Sequence, residues 1–104
     1  MVDRPLVGHT LYVMGKAALH ALTTASAVEL AQLNIRVNAV CPGYNLFQPS
    51  ESEDSIKKNR GEVPLGAVEG KPMDIADAVL YLSRAAYVTG VLLNVDGGLR
   101  LSRP

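Results

Sequence analysis

Cysteine is almost missing from this chain: Cys41 stands alone among 104 residues. An internal disulfide framework is thereby excluded, and a single thiol fits a reducing compartment such as the cytoplasm. An excess of either charge is missing too. Ten Lys and Arg balance ten Asp and Glu, for a formal net charge of zero. Nothing in that balance offers a basic footprint for nucleic acid, and no polybasic run suits an anionic membrane. Apolar stretches fall far short of the ~20 residues that span a bilayer. Met1-Val2-Asp3-Arg4 does not open like a signal peptide. His9 and His20 lack metal-ligand spacing, and nothing in the sequence pairs them with Cys41, so no metal is expected. Ser26, Ser50 and Ser52 lack the Gly-x-Ser-x-Gly setting of a hydrolase nucleophile.

What is present describes one small domain at most, with 48% of its residues apolar. Residues 1–9 carry Pro5 and Gly8 and read as a loop. From Thr10 to Leu33 there is no proline, and Ala17, Ala18, Ala21, Leu22, Ala25, Val28 and Ala31 recur at helical spacings. The spacing predicts a long helix over 10–33 with a stop at Asn34. Its small alanines would let another helix approach closely. Ile35 to Val40 is rich in β-branched residues and predicts a strand ended by Cys41-Pro42-Gly43. A polar excursion from Tyr44 to Gly61 carries a short helix near Glu53–Arg60, acidic residues leading and basic ones following. Pro72 opens a further amphipathic helix running to about Arg84. Val91 to Val95 predicts a second strand, closed by Asp96-Gly97-Gly98.

Strand, helix and strand in that order make a right-handed parallel crossover. Two parallel strands form a marginal sheet, and such strands normally lie between neighbours. The fold class is therefore α/β. The chain reads as the C-terminal part of a Rossmann-like doubly wound parallel sheet whose N-terminal strands are missing.

Tyr12 and Lys16 stand four apart at the head of the long helix and project from nearly one face. Alone, such a pair is weak, since most are a half-buried aromatic beside a solvated amine. Here Tyr12-Val13-Met14-Gly15-Lys16 is followed in order by a strand ending in NAVCPG, a PMDIADAVLYL helix and a strand ending in VDGG. The ensemble resembles the short-chain dehydrogenase/reductase family over essentially the whole of residues 1–104. That stretch would be a partial domain holding the active-site helix, Pro-Gly segment, substrate loop and C-terminal strand. Within the family, DRPLVGHTLYVMGKAAL and the penultimate Arg103 resemble the pteridine reductases.

The resemblance implies a set of roles. Tyr12 would donate a proton to a ketone or imine as hydride arrives from NADPH, with NADH the lesser alternative. A phenol has an ordinary pKa of about 10 and needs nearby positive charge to act near neutrality. Lys16 would supply that charge and bind the nicotinamide ribose. Pro42 and Gly43 would lie beneath the nicotinamide, where a side chain at 43 would crowd the ring. Asn45 and Leu46 would continue along its carboxamide side. Tyr44 and Phe47 would stack on a flat pterin, or simply pack. Arg103 would reach a neighbouring subunit's substrate pocket, or belong to a solvated tail. The alanine-lined face of helix 10–33 would pair subunits into a homodimer or homotetramer, core packing being the alternative. The expected substrate is a small molecule, a pterin or dihydrofolate, with a 3-oxoacyl thioester or another carbonyl as runner-up.

The sequence also departs from the family. No strand–glycine-rich loop–helix unit is found, and Gly97-Gly98 comes at the wrong end for a phosphate loop. The family's third catalytic residue, a serine or in pteridine reductases an aspartate, falls ahead of Met1, and Asp3 is too near Tyr12 to replace it. Gly15 stands where alanine or serine usually precedes the lysine. The 104 residues are therefore expected to act as part of a complete subunit. As a separate product they are expected to be inactive, or to serve as a helix-pairing module.

Overall fold

The computed structural model describes residues 7–43, 52–66 and 69–102. Chain order is α1 (Thr10–Ala31), β1 (Ala39–Pro42), α2 (Glu53–Gly61), α3 (Pro72–Arg84), β2 (Leu92–Val95) and a closing 3-10 turn, Leu99–Leu101. β1 and β2 pair in parallel, Ala39 opposite Leu92 through Pro42 opposite Val95. Helix α3 connects them and packs on both strands. The α/β class and the parallel crossover order expected from the sequence are thus present.

Local chemistry explains where each helix begins and ends. The Schellman pattern closes α1: Asn34 takes a left-handed φ of 57°, its N–H donates to Ala31, and the Ile35 N–H reaches back to Leu30. Ser52 caps α2 by accepting from the Ser55 N–H at 3.1 Å. Glu53 and Asp54 fill its first turn and Lys58 and Arg60 its last, favourable placements against the helix dipole. Pro72 occupies the first turn of α3, and the Asp74 carboxylate accepts the Lys71 N–H at 2.7 Å.

The first strand differs from expectation. Residues 35–38, expected as strand, are spent on fastening the sheet to the end of α3. The Arg36 guanidinium donates to the carbonyls of Leu82 (2.6 Å) and Ser83 (3.0 Å), last-turn groups that the helix itself leaves unpaired. Asn38 donates to the Val88 carbonyl at 2.9 Å and accepts from the Val91 N–H at 3.0 Å. Val37 donates to the Thr89 hydroxyl and accepts from Gly90. Ladder pairing starts only at Ala39 and continues through Cys41 and Pro42, the residues expected to end the strand. Proline is tolerated there because the N–H groups that reach β2 are those of the alternate positions, Ala39 and Gly43 among them, so position 42 owes β2 no donor.

Helix α1 turns a different stripe inward from its alanine face. Thr23 and Ala27 are buried, flanked by the half-buried His20 and Leu30. The Thr23 hydroxyl donates to the Leu19 carbonyl, and Ala27 lies close under Gly90. Leu22, Val28 and the alanines at 18, 21, 25 and 31 remain exposed. Among the described residues only Ala27, Leu82, Leu99 and Thr23 are buried. Most of the helix's apolar surface therefore finds no cover within the described residues.

Asn38→Ala would remove a donor and an acceptor that join β1 to the segment leading into β2. The expected cost is about 1–3 kcal/mol, read as a lowered unfolding midpoint in thermal or urea denaturation.

Candidate active site

Tyr12 and Lys16 come together as their spacing predicts. The Lys16 Nζ lies 5.5 Å from the centroid of the Tyr12 ring, within cation–π range. Tyr12 is 51% exposed and Lys16 is exposed, so the phenol and the ammonium both face outward. His9, at the cap position of α1, stands edge-on to the Tyr12 ring with centroids 6.3 Å apart. Sequence reasoning weighed His9 only as a metal ligand and missed this neighbour. Its position three residues before Tyr12, across the start of a helix, was the available signal.

No spacing pairs a histidine with Cys41, and the structure corrects that expectation: His20 Nε2 lies 3.8 Å from Cys41 Sγ. The contact joins residues 21 positions apart, so no local pattern could announce it. Its consequence is positional. Tyr12, Lys16 and His20 follow one another at intervals of four and share a stripe of α1. The contact sets that turn of α1 against Cys41 in β1, while Lys16 and Tyr12, one and two turns nearer the start of the helix, are exposed.

Pro42 and Gly43 end β1, where the Gly43 N–H donates to the Val95 carbonyl at 3.1 Å. Glycine at 43 has a reason inside the chain itself. A β-carbon there would lie 2.7 Å from both Cα and Cβ of Asp96, closer than such atoms approach. The expectation that a side chain would meet a bound ring is thus joined by a plainer constraint, the turn after β2. Asn45, Leu46, Tyr44, Phe47 and Arg103 lie outside the described residues. No cluster of three or more His, Cys, Asp or Glu that could hold a metal ion occurs among the described residues. No helix among them is long and apolar enough to cross a membrane.

Open ends of parallel strands are where α/β folds bind ligands. Tyr12 and Lys16 offer a hydroxyl and a cation side by side on the surface of α1. Comparison with known proteins finds a family model and several relatives. Residues 2–100 match the family model described as enoyl-(acyl carrier protein) reductase. Pteridine reductase 1 of Leishmania tarentolae is 41% identical over 106 residues, spanning 99% of this chain and 36% of that protein. The oxidoreductase YmfI of Bacillus subtilis is 42% identical over 96 residues, 85% of this chain and 38% of its own length. The bovine 3-oxoacyl-[acyl-carrier-protein] reductase is 39% identical over 97 residues, 91% of this chain and 39% of its own. The chain thus spans a little over a third of the length of these curated relatives.

Two glycines separate crowding from propensity. Gly43→Ala is expected to destabilise by about 1–3 kcal/mol, because backbone atoms at Asp96 must give way. Gly15→Ala, whose β-carbon meets nothing within 4 Å, is expected to stabilise α1 by about 0.5–1 kcal/mol. Denaturation midpoints of the two variants, measured side by side, check both signs.

Proposed function

The chain belongs to the short-chain dehydrogenase/reductase family, and we propose that it is the Tyr–Lys half of an NADPH-dependent reductase acting on C=O or C=N. The observation that carries this reading is the Tyr12–Lys16 pair, held 5.5 Å apart on the helix that His20 joins to β1 at Cys41. Residues 1–104 would be one part of a catalytic domain, completed by a subunit that also carries a glycine-rich phosphate segment. The proposed setting is cytoplasmic, with subunits pairing through the exposed face of helix 10–33 into a homodimer or homotetramer.

The chemistry of the donor set suits a nicotinamide cofactor. Exposed hydroxyl and ammonium groups side by side can bind a ribose, and a side-chain-free backbone at Gly43 can accept a flat ring. Tyr12, Lys16, Pro42 and Gly43 would hold it, with Asn45 and Leu46 continuing the floor. The cofactor, when bound, supplies the hydride. Tyr12 gives its phenolic proton to the carbonyl oxygen or imine nitrogen as negative charge develops there. Lys16 stabilises the phenolate that remains and orients the ribose. Tyr44, Phe47 and Arg103 are the proposed substrate contacts.

A pterin or dihydrofolate is the proposed substrate, supported by the sequence likeness to pteridine reductase 1. A 3-oxoacyl thioester is the second reading, because the bovine 3-oxoacyl-[acyl-carrier-protein] reductase is similar over nearly as much of the chain. Steady-state assay of the complete subunit with dihydrobiopterin against a 3-oxoacyl thioester decides, and faster turnover of the thioester would overturn the pterin assignment. In the same subunit Tyr12→Phe should lower kcat/KM by about 10²–10⁴-fold, the usual worth of a positioned proton donor. Lys16→Ala should raise the KM for cofactor as well as lower kcat. Residues 1–104 alone should show no saturable NADPH binding up to about millimolar concentration, a free energy weaker than about −4 kcal/mol. Tight binding would contradict the need for a separate phosphate segment.

A further inference from the structure

The Asp96-Gly97-Gly98 turn touches two segments that the sequence keeps apart. On one side it carries Gly43, whose α-carbon approaches Asp96 so closely that no β-carbon fits between them. On the other it carries the return of the excursion after α2. The Leu65 N–H donates to the Gly97 carbonyl at 3.0 Å. A β-carbon on Gly97 would lie 2.7 Å from Val63 Cγ1, and one on Gly98 would lie 3.1 Å from Pro64 Cγ. Gly97 also has φ of +61°, a conformation that side chains resist.

The turn is itself tied tightly. One oxygen of the Asp96 carboxylate accepts the Gly98 N–H and the other the Arg100 N–H, both at 3.0 Å. Its backbone carbonyl accepts the Leu99 N–H, and the Leu99 side chain is buried. The short closing helix thus anchors the turn, and the turn has little freedom to follow one neighbour without moving the other.

We infer that Asp96 and Gly97 are positioning residues that hold the Pro42-Gly43 backbone and the Val63–Leu65 return at one fixed separation. This inference rests on the reading of Pro42-Gly43 as the cofactor floor, and it takes the Val63–Leu65 return as part of the substrate side. Under it the turn sets the distance between the reacting ring and the substrate, although none of its side chains touches either. A displacement at Gly97 shifts both binding surfaces together.

The test uses Gly97→Ala in the complete subunit, with Gly61→Ala as its matched control. Gly61 ends α2, and a β-carbon there meets nothing within 4 Å. In Gly97→Ala the KM for cofactor and the KM for carbonyl or pterin substrate should rise together, by about tenfold, the scale of a small misplacement of reacting groups. In Gly61→Ala both should stay within about twofold of the parent. A variant that merely unfolds in part loses active enzyme, which scales the apparent kcat and leaves both KM values alone. That pattern, or a rise in only one KM, overturns the inference. Amide hydrogen exchange gives a second reading that needs no turnover. The Gly43 and Leu65 amides should both exchange faster in Gly97→Ala and neither in Gly61→Ala. Loosening of Leu65 with Gly43 still protected sinks the proposed coupling. Absence of turnover on either substrate class counts against the reductase reading instead, and exchange then decides this inference alone.

Discussion

The parallel pairing of β1 with β2 is the constraint on which everything else in the chain depends. Four residues on each strand make that ladder, which is little sheet for parallel strands. The pairing is secured at both ends by groups outside it. Arg36 and Asn38 fasten its N-terminal side to the end of α3 and the segment that follows. At the other end Gly43 presses on Asp96, beyond the last ladder bond. Because α3 lies between the strands in sequence and against both in space, its carbonyl end is the natural place for a cation such as Arg36.

That ladder also decides where the long helix is useful. Only a narrow stripe of α1 faces inward, and the stripe includes His20 against Cys41. One and two turns earlier, Lys16 and Tyr12 are exposed. A helix docked by its middle and free at its head can hold a phenol beside an ammonium without burying either. Burial of a charge without a partner is costly, and exposure avoids that cost.

Much of this was legible in the sequence, for reasons that differ from residue to residue. The helices announced themselves through local rules: Asn34 as a stop, Pro72 as a start, Glu53 to Arg60 through its charge order. Each of these depends on neighbours within a turn of chain. The Tyr12–Lys16 pair was legible on the same ground, since four residues of helix fix the separation. β1 was misjudged at both ends because its boundaries are set elsewhere. Whether residues 35–38 join a ladder depends on hydrogen bonds to Val88, Thr89 and Val91, which lie 50 to 53 positions later. The His20–Cys41 contact and the reason for glycine at 43 escaped for the same cause. Tertiary neighbours decide them, and a single sequence does not order those neighbours.

The exposed face of α1 bears on how the site would be completed. Leu22, Val28 and the small alanines line a helix surface that nothing among the described residues covers. Exposing contiguous apolar surface is costly, at roughly 25 cal/mol for each Å² left in water. The chain also spans just over a third of its relatives' length. A helix that holds the proposed proton donor on one stripe and uncovered alanines on another is suited to working between two bodies. One is the sheet reached through His20. The other would be whatever covers the alanine face, whether further chain or a second subunit. On either account, the exposed alanine face of α1 and its proposed catalytic role in a larger assembly are two consequences of one arrangement.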